Sequence, residues 1–160
     1  KLKGIKLADF DGRSPGMAEY EVEVEDGVGI NSIYLVYKNG SGNSITLPLM
    51  FSDALTTGTY RIKGYVPEKL EFQSYYLSYV GLYNRAGFDA GYNYHNNKLV
   101  GFGKCDWLNS FDYSGDATLH IKEAAVISQE LRKRLDEEMR LGIRSRQSIY
   151  PQEFRIRQQK

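Results

Sequence analysis

At 160 residues, with 21 lysines and arginines against 20 acidic residues, the chain has room for one domain plus an appendage, and no global field of one sign draws it to nucleic acid or an anionic membrane. Cys105 is the single cysteine, which excludes an intramolecular disulfide and a thiolate metal cluster built from one chain while leaving the compartment open. No apolar run of the roughly 18 residues needed for a membrane-spanning helix is present, and a chain opening on Lys1 rather than Met reads as a processed or excised piece.

In chain order, residues 2–7 read as a first edge strand, closed by the turn formers Asp9, Asp11, Gly12, Ser14, Pro15 and Gly16. Residues 19–25 alternate strictly, with Tyr20, Val22 and Val24 on one face and four glutamates on the other, the pattern of a half-exposed strand. Residues 30–37 form a strong β run that leads through Lys38-Asn39-Gly40-Ser41-Gly42-Asn43, a hairpin loop in which Asn-Gly is expected to supply the positive φ angles, into a partner strand over 44–51. Pro48 cannot donate to a ladder, so that partner is expected to lie at an edge or to break there.

Residues 59–66 alternate again before Pro67. Residues 75–87 carry apolar or aromatic side chains on both alternating sets, as a central strand shielded on both faces requires. A short hairpin is predicted around His95-Asn96-Asn97-Lys98, and a final strand over 116–122 with Leu119 and Ile121 inward. The pattern predicts an all-β domain of about seven or eight strands arranged as a β-sandwich.

From Glu123 the period changes. Ile127, Leu131, Leu135 and Met139 recur every four residues among charged positions, predicting an amphipathic helix over 122–142 with Gly142 near its end. Its narrow apolar stripe suits docking on the sandwich or pairing with a second copy of the chain. Residues 143–160 read as a basic, flexible tail, with Arg144, Arg146, Arg155, Arg157 and Lys160 against Glu153. The expected division is therefore a sandwich over 1–121, a helix over 122–142 and a tail over 143–160.

Three stretches taken together, residues 24–37 (Val-Glu-Asp-Gly-Val-Gly-Ile-Asn-Ser-Ile-Tyr-Leu-Val-Tyr), 58–65 (Gly-Thr-Tyr-Arg-Ile-Lys-Gly-Tyr) and 76–87 (Tyr-Leu-Ser-Tyr-Val-Gly-Leu-Tyr-Asn-Arg-Ala-Gly), resemble an immunoglobulin-like β-sandwich module of multidomain bacterial surface and secreted proteins. The resemblance covers about residues 2–121. It implies a spacer, adhesion or ligand-binding role at the cell surface or outside the cell, by analogy of fold.

Groups able to carry chemistry are sparse. Acyl transfer needs a nucleophile, a base and a group that orients the base, and neither His95 in a polar turn nor His120 in a strand sits in such a motif. Cys105, beside Lys104, would be reactive only if a positive neighbour lowered its pKa; a buried inert thiol is the commoner case. Glu19, Glu21, Glu23 and Glu25 project from one strand face about 7 Å apart, a spacing compatible with a glycosidase pair at roughly 5 to 9.5 Å. Nothing marks a cleft there, and an exposed strand face is the plainer account; a basic partner, the chain's own tail included, is the alternative for that acidic face. Asp9, Asp11, Asp26, Asp53 and Asp89 lie near turns, where capping is commoner than calcium ligation.

The most informative feature is aromatic. Thirteen tyrosines exceed what a core absorbs conveniently, because each buried hydroxyl needs a partner. The aromatic-rich segment 88–113 is long enough for a binding loop, and Tyr92, Tyr94, Phe102, Trp107, Phe111 and Tyr113 are the candidate ligand-binding residues. The plainer alternative is that these rings pack the ends of the sandwich. The expected activity is a non-catalytic interaction or adhesion module with a protein or glycan partner; the alternatives are a carbohydrate-binding module and an assembly domain that oligomerises through Ile127, Leu131, Leu135 and Met139. No cofactor and no nucleic-acid partner are expected, since only Lys98 and Lys104 interleave with the rings.

Overall fold

In the computed structural model, which describes residues 1–87, 89–103 and 109–124 together with Lys133 and Glu137, sequence alternation becomes burial. Tyr20, Val22 and Val24 are buried while Glu23 and Glu25 are exposed, as a strand with one face on the core requires. The described strands are β1 (Leu2–Asp9), β2 (Arg13–Ser14), β3 (Gly16–Val24), β4 (Ile30–Asn39), β5 (Ser44–Met50), β6 (Gly58–Val66), β7 (Ser74–Asn84), β8 (Asp89–His95), β9 (Lys98–Phe102), β10 (Ser110–Asp112), β11 (Leu119–His120) and β12 (Glu123–Ala124).

The all-β class holds, but the strands are more numerous than expected and join differently. A ten-stranded sheet runs in the order β1-β3-β6-β5-β4-β7-β8-β9-β10, with β11 attached to β7. Every ladder in it is antiparallel. The sheet curls until its first and last strands approach, so the molecule is nearly a barrel. Closure is made without a β1–β10 ladder: Leu7 N donates to Asp116 O at 2.9 Å, and at the other end Tyr92 and Asn109 hold the backbone of Leu2. Covering both edges in this way removes unpaired strand groups from solvent.

β7 is central, as its composition predicts, pairing with β4 along one side and with β8 and β11 along the other. Its outward face, however, is open: Tyr76 and Tyr83 are exposed and Tyr79 is half-buried. β5 is not an edge strand. Ser44 to Pro48 pair with β4, and only Leu49 and Met50 pair with β6, so the missing N–H of Pro48 falls where the ladder to β6 has not begun. In the β4–β5 loop the positive φ belongs to Gly42, at 87°, rather than to Asn39 and Gly40. The β8–β9 hairpin turns at Asn96 and Asn97, with φ of 48° and 60°, the mirror-image turn whose twist matches that of its strands.

Segment 88–113 is another correction. In its described residues it is a meander, β8, β9 and β10, that extends the sheet, because Gly91, Leu99 and Phe111 continue the alternation and find ladder partners. The predicted last strand, 116–122, shrinks to β11. The helix predicted to begin at Lys122 does not begin there: Glu123 and Ala124 pair in parallel with Arg13 and Ser14, and Arg13 Nε binds Glu123 Oε1 at 2.9 Å. The rest of the helix prediction, including Ile127, Leu131, Leu135 and Met139, and the basic tail lie outside the described residues; Lys133 and Glu137 are exposed.

The core is one cluster that includes Leu2, Val22, Leu35, Leu47, Val80 and Leu119, each essentially inaccessible. Tyrosines enter it with their hydroxyls satisfied. Tyr20 and Tyr37 share a hydrogen bond of 2.8 Å, and Tyr37 Oη donates to Ala117 O at 2.7 Å. Burial raises the pKa of both phenols.

Candidate ligand-binding face

Antiparallel register places one residue from each strand in rows across the sheet. On the outward face of β4, β7, β8 and β9, one row reads Tyr34, Gly81, Gly91, Phe102, and the next reads Val36, Tyr79, Asn93, Val100. The glycines of the first row are seats for rings. A Cβ on Gly81 would lie 2.3 Å from the Tyr34 ring, and one on Gly91 would lie 2.6 Å from Phe102 and 2.7 Å from Tyr79 Oη. Any other residue at either position would displace the rings, so glycine here serves close approach rather than an unusual φ.

The rings form a continuous band. Tyr34 and Tyr79 lie 5.8 Å apart at 37°, and Tyr79 and Phe102 lie 5.9 Å apart at 52°, within the range of favourable tilted aromatic pairs. The Tyr34 and Tyr79 hydroxyls lie a long 3.4 Å apart, at the limit of a hydrogen bond. Partial burial, followed by that bond and the proximity of the Tyr34 phenol, pushes the Tyr79 pKa up to about 12, so the hydroxyl stays neutral and remains both donor and acceptor.

A groove of about 720 Å³ runs along this band, lined by Val36, Lys38, Ser78, Tyr79, Asn93, Tyr94, His95, Val100 and Phe102. Apolar surface lies open in it: Phe102 is 47% exposed and Tyr94 44%. Ser78 Oγ is engaged with Val36 O at 3.1 Å. The Asn93 amide, opposite Tyr79 in the ladder, and the Lys38 ammonium make no hydrogen bond or ion pair among the described residues. They are therefore free to meet a ligand.

The six candidate ligand-binding residues divide. Tyr94 and Phe102 line the groove. Tyr92 is fully buried and Tyr113 nearly so, which assigns them to packing: Tyr92 Oη holds Leu2, while Tyr113 Oη accepts from Ala117 N at 3.1 Å. Phe111 packs on the core beside Tyr92, centroids 5.9 Å apart. Trp107 lies outside the described residues, as does Cys105. Sequence reasoning missed Tyr79 and Asn93 as groove elements and Tyr34 as the ring that flanks them; the signal was the pairing of outward tyrosines with glycines, visible only once the register is known.

The other candidate chemistry dissolves into local roles. His120 Nδ1 lies 2.7 Å from Ser74 Oγ, but no carboxylate orients the imidazole among the described residues, so a nucleophile–base pair stands without its third member. His95 Nε2 contacts Asn96 Nδ2 at 3.2 Å in the hairpin turn. Three of the four glutamates at 19, 21, 23 and 25 are met by neighbouring cations: Arg61 binds Glu19 at 2.9 Å, Lys6 lies 3.5 Å from Glu21 and Lys3 lies 4.0 Å from Glu25. Asp26 Oδ2 caps its turn by accepting from Gly29 N at 2.6 Å, and Asp11 Oδ1 accepts from Arg13 N at 3.2 Å. Among the described residues, no group of three or more metal-ligating side chains converges, and no helix is long and apolar enough to cross a membrane.

Comparison of the chain with protein-family models, with curated proteins and with solved structures finds no match.

Proposed function

We propose that this chain is a non-catalytic binding module that holds a glycan against the outward face of β4, β7, β8 and β9. The observation that carries the reading is the aromatic band: Tyr34, Tyr79 and Phe102 stand side by side over glycine seats, with a free amide at Asn93. Sugar rings offer apolar C–H faces to aromatic rings and hydroxyls to amides, and a band backed by a hydrogen-bonded sheet is ordered before the ligand arrives, which limits the entropy lost on binding. The strand order supports an immunoglobulin-like module as the scaffold. β1-β3-β6-β5 and β4-β7-β8 follow the order of the two sheets of that fold, here joined where β5 changes partner. In this reading the module works at a cell surface or outside the cell, as an adhesion or substrate-targeting part of a larger chain.

Affinity electrophoresis and calorimetry against soluble polysaccharides test this. Retention by at least one glycan is expected, with loss of roughly tenfold or more in Tyr79→Ala and in Phe102→Ala, given about 25 cal/mol for each Å² of apolar surface a sugar ring covers. Retention unchanged in both variants, or no retention on any glycan, overturns it.

A further inference from the structure

The groove carries one formally charged side chain in its lining, Lys38, and the Asp89 carboxylate acts on Tyr79 from outside that lining. Its lining includes Lys38 and His95 and no carboxylate, although lysines and arginines barely outnumber acids in the chain as a whole. Lys98, on β9, is spent on Asp112 at 3.2 Å, and farther along the sheet Arg61 is spent on Glu19 at 2.9 Å. Lys38, on β4, is not: among the described residues its ammonium has no ion pair.

The ladder fixes where this charge sits relative to the rings. Lys38 stands opposite Tyr76, which is 56% exposed, and lies two residues beyond Val36, the partner of Tyr79. Alternate residues on a strand are about 7 Å apart on the same face, so the ammonium begins one row from the aromatic band and at the same open surface. A ligand lying on Tyr79 and Phe102 thus meets a cation at one end of the groove.

We infer that the glycan held on this face is anionic, a uronate-bearing polysaccharide whose sugar rings lie on Tyr79 and Phe102 and whose carboxylate meets Lys38. This inference rests on the glycan-binding reading above. Rings and charge together are what favour an acidic sugar over an acidic peptide, because the adjacent rings of Tyr79 and Phe102 match successive pyranose rings, whereas a carboxylate side chain offers them nothing to stack. Lys38 supplies a point charge on a flexible stem, suited to a carboxylate presented at variable height above the sheet.

The test is calorimetric titration of the full chain with polygalacturonate, a neutral β-glucan and poly-L-glutamate, at low and at high NaCl. Polygalacturonate is expected to bind tightest and to weaken in high salt, because charge attraction is screened as the Debye length shortens. Lys38→Met is expected to weaken polygalacturonate roughly fivefold while Lys38→Arg retains most of it, in keeping with one partly exposed ion pair; Tyr79→Ala weakens the neutral and acidic glycans alike. Equal affinity for the neutral glucan, or a Lys38→Met variant that binds like the parent, overturns the inference and leaves the glycan reading intact. Poly-L-glutamate binding as tightly as the polyuronate also overturns it, by moving the site to acidic peptides. No binding to polygalacturonate overturns the inference, and the glycan reading falls with it when no soluble polysaccharide is retained.

Discussion

Tyr92 Oη and Asn109 Oδ1 lie 2.7 Å apart and together clasp the backbone of Leu2 from both sides. The phenol accepts from Leu2 N at 2.9 Å while Asn109 Nδ2 donates to Leu2 O at 2.8 Å. Two side chains thereby replace one rung of the ladder that β1 and the far end of the sheet never form. Sequence reading placed Tyr92 among the ligand-binding rings, but its ring is core and its hydroxyl is a closure device.

If so, Tyr92→Phe leaves the Leu2 N–H without its partner in a buried setting. A loss of about 1 to 3 kcal/mol is expected, read as a lower urea midpoint with an unchanged slope. Amide exchange should accelerate at Leu2 more than in β7. Asn109→Ala should act on the same clasp, so the double variant is expected to lose less than the sum of the two; strict additivity would mean that the residues act separately.

Alkaline stability follows from the buried phenols. Tyr20 and Tyr37 titrate above the ordinary value of 10.0 when folded, chiefly because burial disfavours the phenolate. Above pH 10 the unfolded chain releases protons that the folded protein keeps, so rising pH favours unfolding. The contribution of these groups is intact below that pH and is lost as pH climbs through the folded-state values, at about 1.4 kcal/mol per unit for each tyrosine. Denaturation midpoints measured from pH 8 to 11.5 should bend downward near 10, and Tyr20→Phe should bend less; a flat profile contradicts the arrangement.

Two glycines should behave differently when replaced by alanine. A Cβ on Gly64 would meet Leu47 Cδ2 at 2.2 Å inside the core, where overpacking costs roughly 1 to 3 kcal/mol. On Gly91 the new methyl meets the far end of the exposed Phe102 ring, which can swing away. Gly91→Ala is therefore expected to keep its melting temperature within a few degrees, about what 0.5 kcal/mol produces, and to lose glycan retention. Equal stability losses in the two variants would remove the distinction.

The acidic face of β3 should matter little to stability. The Arg61–Glu19 pair is close, but its side chains are 59% and 25% exposed, and solvent screening holds such pairs below about 1 kcal/mol. Glu19→Gln is expected to shift the unfolding midpoint only slightly, and any shift should vanish in high salt. A large, salt-independent loss would show a buried role for that carboxylate.

Local alternation was enough to recognise most of the strands. The strict pattern of Glu19 to Glu25, the β run from Ile30, the hairpin at Asn96-Asn97 and the central place of residues 75–87 are legible because a pleated strand turns every second side chain the same way, whatever it pairs with. Capping aspartates such as Asp26 are legible for a similar reason, since their bonds close over three residues.

Register, curvature and closure are properties of pairs distant in the chain, and the candidate face depends on all three. Tyr34 and Phe102 fall in one row only because Tyr34 lies opposite Gly81, Gly81 opposite Gly91, and Gly91 opposite Phe102. A slip of one residue at any step would turn the rings to opposite faces. The same holds for Tyr92, whose role is set by the approach of Leu2, 90 residues away, and for the β3 glutamates, whose cations come from β1 and β6. The amino-acid sequence by itself determined which side chains alternate and where the chain turns, because those preferences are local. Only the tertiary structure decided which tyrosines are core, which close the sheet and which line the groove, because that choice is made by strand partners the local pattern does not specify.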